Sequence, residues 1–241
     1  MKIALCLHGY FNSPKDKNSF GLDGYEHIKK HILDGNNVDV YIHSWDLESR
    51  DVINKLYNNL IKDSIFEPQI DFKPLFNRNG LDKFKPHGTP FWNVFSQYYS
   101  VQKCFELLLK SNIDYDCVIK SRFDLGRINR NSSGIGGRNP YAVQCINFNT
   151  NFNMNKFYTA DWQYLESEGP ADMWFYSNLE NMKHFSNIFN LLSNDIRVDS
   201  EYEYWCGSND GGIVNAIKGW KWFLIQTGLW DKKELLPTYW E

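Results

Sequence analysis

Arg122 and Asp124 stand two residues apart at the end of the run Tyr115-Asp116-Cys117-Val118-Ile119-Lys120-Ser121-Arg122-Phe123-Asp124-Leu125. On an extended chain that spacing puts both side chains on one side. A carboxylate can hold a divalent cation and a guanidinium can hold an anionic oxygen, so the pair suits a metal-bound phosphate ester. The same two residues also make an ordinary surface ion pair at a strand end, and spacing alone leaves both uses open.

The elements that must position this pair are legible around it. Cys117 to Ile119 is short, apolar and rich in β-branched residues, and a polar glycine- and asparagine-rich stretch follows Asp124, which reads as a buried strand ending at an exposed edge. Ile3–Leu7 is a second such run, opening into His8-Gly9-Tyr10, and Val38–Ile42 is a third, ending in His43-Ser44-Trp45-Asp46. Runs buried on both sides and separated by helical patterns predict neighbouring strands of one mainly parallel sheet with helices on both faces, an α/β fold. Ligands of such sheets bind beyond the carboxyl ends of the strands, where His8, Gly9, His43 and Asp124 fall.

Phe20–Leu33 reads as a helix stopped by Gly35, and Ser49 as the cap of a helix carrying Val52, Ile53, Leu56, Leu60 and Ile61. Ile65–Phe72 is expected to be a third strand demoted by Pro68, and residues 73–90 a long loop. The clearest helix carries the stripe Phe91, Phe95, Tyr98, Phe105, Leu108 and Leu109; Gln97, Tyr98 and Ser100 near its start are candidates to face the crevice, with core packing a stronger alternative for Tyr98 than for Gln97. From Asn147 to Asn155 asparagine falls at every second position, which predicts an extended edge strand or lid. Met173–Tyr176 reads as a short strand, Ser177-Asn178-Leu179-Glu180 as a capping box leading a helix to Leu192, Trp220–Ile225 as a last strand, and Leu229–Glu241 as a tail.

Composition excludes several functions. A net charge of −3 with interspersed signs argues against a nucleic-acid binder held by phosphate contacts. The 17% aromatic content suits sugar and base faces as well as core filling. Five scattered cysteines without C-x-x-C spacing indicate neither a zinc site nor a disulfide framework, and predict a cytoplasmic protein. No apolar stretch approaches membrane-spanning length, and His8-Gly9 cuts the N-terminal run too short for a signal peptide. Residues 1–241 read as one domain, because no linker or repeat divides them.

In order, Lys2–Gly9, Asp39–Trp45, Gln97–Ser100 leading into Tyr115–Leu125, and Asp172–Asn178 together resemble the GT-A-type nucleotide-sugar glycosyltransferases of large DNA viruses and bacterial surface-polysaccharide clusters. The resemblance implies a single GT-A-like, Rossmann-like domain with a nucleotide-binding half (1–125) and an acceptor- and sugar-binding half (126–241). It implies transfer of a hexose or pentose from a UDP- or GDP-linked donor to a glycan acceptor, as in polysaccharide biosynthesis. The nucleotide is then expected against His8, Gly9, Tyr10, His43, Gln97 and Arg122. A D-x-D motif in such enzymes holds Mn²⁺ or Mg²⁺ against the diphosphate. Here the matching triplet is Arg122-Phe123-Asp124, so only Asp124 carries over as a metal ligand. Asp172 matches the position of the base that takes the acceptor proton, with Asp210, before Gly211-Gly212, as the alternative. Two other readings stand beside this one. A binding protein for nucleotide or carbohydrate would keep the fold without turnover. An α/β-hydrolase would use His8-Gly9 as an oxyanion loop, although the chain has no G-x-S-x-G.

Overall fold

The computed structural model describes residues 1–12, 20–84, 92–126, 145–161, 166–206, 213 and 215–237. In chain order the strands are β1 (Lys2–Gly9), β2 (Asn37–Ser44), β3 (Ile61–Phe66), β4 (Cys117–Arg122), β5 (Phe157–Ala160), β6 (Trp174–Ser177) and β7 (Lys233–Leu236). They form one sheet in the order β3-β2-β1-β4-β6-β5-β7. The three apolar runs are adjacent, as expected: Ile3 pairs with Val38 on one side and Cys117 on the other, all parallel. β6 runs antiparallel to both β4 and β5, and β7 is parallel to β5.

The helices are α1 (Phe20–Ile28), α2 (Arg50–Tyr57), α3 (Lys73–Arg78), α4 (Trp92–Lys110), α5 (Leu179–Met182), α6 (Ile188–Asp195), α7 (Glu201–Cys206) and α8 (Ala216–Gln226). They cover both faces of the sheet, because strand side chains alternate between two cores. Ile3, Leu5 and Leu7 join Ile28 of α1 and Ile53 and Tyr57 of α2 on one face. Ala4, Cys6, Tyr41 and Val118 join Phe95, Tyr98 and Phe105 of α4, Ile188 of α6 and Trp220 of α8 on the other. This is an α/β architecture, and no helix among the described residues is long and apolar enough to cross a membrane.

Several expectations are corrected, each for a local reason. The third strand is Ile61–Phe66 and not Ile65–Phe72: Asn58, at φ 32°, ends the preceding helix early and frees Ile61 to pair with Val40. Within the stretch expected to be loop, Pro74 lies in the first turn of α3, where its missing N–H costs no hydrogen bond. The asparagine-rich run is not extended. Asn149 Oδ1 accepts from the amide of Asn151 and Asn153 Oδ1 from that of Asn155, so the period of two marks successive side-chain-closed turns. Trp220–Ile225 lies within α8, capped by Asn215 and buried at Trp220, Trp222, Phe223 and Leu224. An apolar run of that length fits a buried helix as well as a strand. The helix after β6 is capped by Asn178, not Ser177, and breaks into α5, a 3-10 turn and α6, while the expected tail contributes β7.

Candidate active site

β1 leads to β2 on one side and has β4 on the other. That reversal of strand order makes the carboxyl ends of β1 and β4 a switch point, where open α/β sheets bind ligands, and Phe11 and Phe123 just beyond the two ends pack ring against ring at 5.7 Å. His8 and Arg122 face each other across this point as register partners. Alternation sends His8, His43, Lys120 and Arg122 all to the α4 face, the last turns of three adjacent strands.

The exit of β1 is held rigid. Gly9 sits at φ +97°, a conformation that a side chain would strain. Its amide donates to Ser100 Oγ at 3.1 Å, and its carbonyl accepts from Ser44 Oγ at 2.8 Å. The Asn12 amide donates to Asp46 Oδ2, while Asp46 Oδ1 takes the Ser49 amide at the start of α2. Tyr10 lies outside this brace, with its hydroxyl donating to Gln69. His43, expected at the crevice edge, has its ring fully buried, with Nδ1 on Ser100 Oγ at 2.7 Å and Nε2 on Glu67 at 2.9 Å. Burial lowers its pKa although Glu67 opposes the shift. His43 is thus placed as a support of the β1 exit.

The exit of β4 is where the expected residues converge. Arg122 Nε and Nη2 form a two-pronged fork on Asp124, at 2.9 and 2.8 Å. The antiparallel ladder of β6 brings in Asp172: the Arg122 amide donates to the Met173 carbonyl, and Arg122 Nη1 stands 3.7 Å from Asp172 Oδ2. Gln97, from the first turns of α4, donates to that same oxygen. Asp124 and Asp172 therefore flank one guanidinium. Burial works to raise the Asp172 pKa, but Arg122, Lys120 and the Gln97 amide outweigh it and hold the carboxyl below its usual range. The charge of Asp124, ahead of the opposing burial, raises that of Arg122.

His8 lies beneath this pair. It is 3% exposed, and its Nε2 has no hydrogen-bond partner among the described residues. Burial, then the charges of Lys120, Arg122 and His43, lower its pKa well below the usual histidine range. Asp210 lies outside the described residues, as do Phe91 and the three arginines of the stretch after Gly126.

Lys120 is the residue that sequence reasoning missed. It is fully buried, its ammonium donates to the Asp172 carbonyl, and it lies 4.9 Å over the Phe175 ring and 4.8 Å over that of Trp220. Burial pushes its pKa down from 10.5 to about 7, against the pull of Asp172. The signal was a lysine inside a buried strand at the same alternation as Arg122.

The donor set does not suit Mn²⁺ or Mg²⁺. Asp124 has both oxygens in the Arg122 fork, Asp172 Oδ2 meets Gln97 and Arg122, and no group of three His, Cys, Asp or Glu able to hold a metal ion is found among the described residues.

Fold and site together define an open-sheet α/β protein with a charged side-chain cluster at the β1/β4 switch. No family model matches the chain, and no curated protein matches it. Among solved structures it is similar to mouse xyloside xylosyltransferase 1 in its apo form, at 10% identity and a TM-score of 0.48, over 98% of this chain and 84% of that one. So distant a likeness assigns no chemistry to this chain.

Proposed function

We propose that this protein is a glycosyltransferase that moves a sugar from a UDP- or GDP-linked donor to a glycan acceptor. One observation carries the reading. Arg122, Asp172 and Gln97 converge at the β1/β4 switch, where a nucleotide would lie along the carboxyl edge of the sheet. In this reading His8, Gly9 and Tyr10 border the base and ribose, with residues 1–125 as the nucleotide half and 126–241 as the sugar and acceptor half. His43 holds the β1 exit from behind.

The guanidinium of Arg122 meets the diphosphate. The acceptor oxygen bonds to the anomeric carbon as the bond from that carbon to the phosphate oxygen breaks, and the electron pair leaves on the diphosphate. The acceptor proton passes to Asp172, whose side chain keeps 23% of its surface exposed. Because the donor set does not suit the divalent cation expected at Asp124, no step passes through a metal.

The reading of a binding protein without turnover keeps one supporting observation: a carboxyl held below its usual range by Arg122 and Lys120 is a weak base. The hydrolase reading has less, since the Gly9 amide that an oxyanion loop would offer is engaged by Ser100. A panel of UDP- and GDP-sugars assayed for nucleotide release separates the three. Release that requires an acceptor glycan supports the transferase, and binding of every donor without release refutes it.

A further inference from the structure

Resting on the nucleotide-sugar reading, we infer that this site neutralises the leaving diphosphate with two cations of its own β4 strand, Arg122 and Lys120, in place of a divalent metal. The disagreement between the resemblance and the donor set leads there. A metal bridging a strand-end aspartate and a diphosphate draws on one or both carboxylate oxygens, directly or through its waters. At Asp124 both are taken by Arg122, in a fork that adds two charge-assisted hydrogen bonds. The guanidinium lies between Asp124 and Asp172, the position from which a cation would serve both. A metal brought there would displace the guanidinium or sit against a like charge.

Arg122 is also placed to be shared. Its side chain is 35% exposed, and Nη1, the nitrogen not on Asp124, stands 3.7 Å from Asp172, beyond hydrogen-bond reach. A phosphate oxygen can take that nitrogen while the fork on Asp124 stays closed. Asp124 then acts as a positioning residue that fixes the plane of the guanidinium.

Lys120 supplies the second charge from below. Its ammonium has three donors and, among the described residues, makes one hydrogen bond, to the Asp172 carbonyl. Among the described residues no carboxylate is within ion-pair distance of it, and the rings of Phe175 and Trp220 keep water away. In so dry a place a cation acts on a neighbouring anion with little screening. The same alternation that puts Lys120 under Arg122 puts His8 beside both, with its Nε2 lacking a hydrogen-bond partner among the described residues.

The test uses the full chain with inorganic pyrophosphate, UDP and GDP, and measures affinity in excess EDTA and in Mn²⁺ by calorimetry and ligand-induced thermal shift. Each variant is referred to its own ligand-free transition. The expected result is affinity that agrees between the two buffers within about twofold. Arg122→Ala should weaken binding by roughly tenfold or more in both buffers, as loss of a charge-assisted hydrogen bond to the phosphate predicts. Arg122→Lys, which keeps the charge, guards against a misfolded alanine variant and should recover only part of the loss. Lys120→Met, which fills the same space without charge, should also weaken binding in both buffers. Asp124→Asn should leave the buffers in agreement. Binding that appears only with Mn²⁺ and vanishes in Asp124→Asn would overturn the inference while leaving the transferase reading in place. Failure of pyrophosphate and both nucleotides to bind in either buffer also overturns it. If pyrophosphate binds without metal and neither nucleotide does, the anion site stands and the nucleotide-sugar reading falls.

Discussion

The ends of β2 and β4 lie on the same face of the same sheet, and each carries a buried nitrogen-bearing side chain with polar neighbours. They are finished differently. At β2 both ring nitrogens of His43 are engaged, by Ser100 and Glu67, and Trp45 and Tyr99 pack against the ring. At β4 Lys120 makes one hydrogen bond among the described residues with three donors to give, and Arg122 keeps a partly exposed edge with one nitrogen beyond hydrogen-bond reach of Asp172. A closed network rigidifies a fold, and an open one has capacity left for a ligand. The difference separates a support from a site without appeal to any other protein.

The largest expected effect breaks the comparison at the β4 end. Asp172→Ala should cut sugar transfer by about 10²–10⁴-fold, as loss of a general base does, while nucleotide affinity changes little. Nucleotide-release kinetics beside calorimetry check it, and an equal loss in both would place Asp172 in binding alone. At the β2 end the effect should fall on stability. His43→Ala leaves the Ser100 hydroxyl short of a buried partner and should cost about 1–3 kcal/mol in urea unfolding, with ligand-induced shifts preserved.

Lys120 sharpens the contrast through pH. Its folded pKa, about 7, lies below its ordinary 10.5, so between these values the unfolded chain holds a proton that the folded one lacks. Stability should therefore rise with pH above about 7, and below it the full cost of a buried ammonium is present. Thermal melts from pH 7 to about 9 should show this rise in the wild type, and a flatter profile in Lys120→Met. Diphosphate affinity should run the other way, falling as the ammonium is lost. The smallest effect concerns the helix that lays Trp220 over Lys120. Asn215 caps α8 by accepting from the amides of Ile217 and Lys218, and Asn215→Ala should cost about 1 kcal/mol, read as a lower denaturant midpoint at an unchanged slope.

Much of the framework follows from local chemistry. Three apolar runs and their polar ends determined by themselves that β1, β2 and β4 would be buried, parallel neighbours, because strands covered on both faces have no polar side to offer water. The alternation rule put Arg122 and Asp124 at one edge, and helical spacing put Tyr98 on the stripe that α4 buries. Other patterns were less informative: the apolar run Trp220–Ile225 took its form from burial against the sheet, and the period of two in the asparagine-rich stretch came from side-chain-closed turns. Only the tertiary structure decided the site's chemistry. The antiparallel insertion of β6 carries Asp172 to Arg122 from 50 residues away along the chain. The packing of Phe175 and Trp220 makes a buried cation of Lys120, which in the sequence is one lysine among many. Charge and desolvation depend on what surrounds a group in space, and sequence spacing does not record the residues that arrive from other strands.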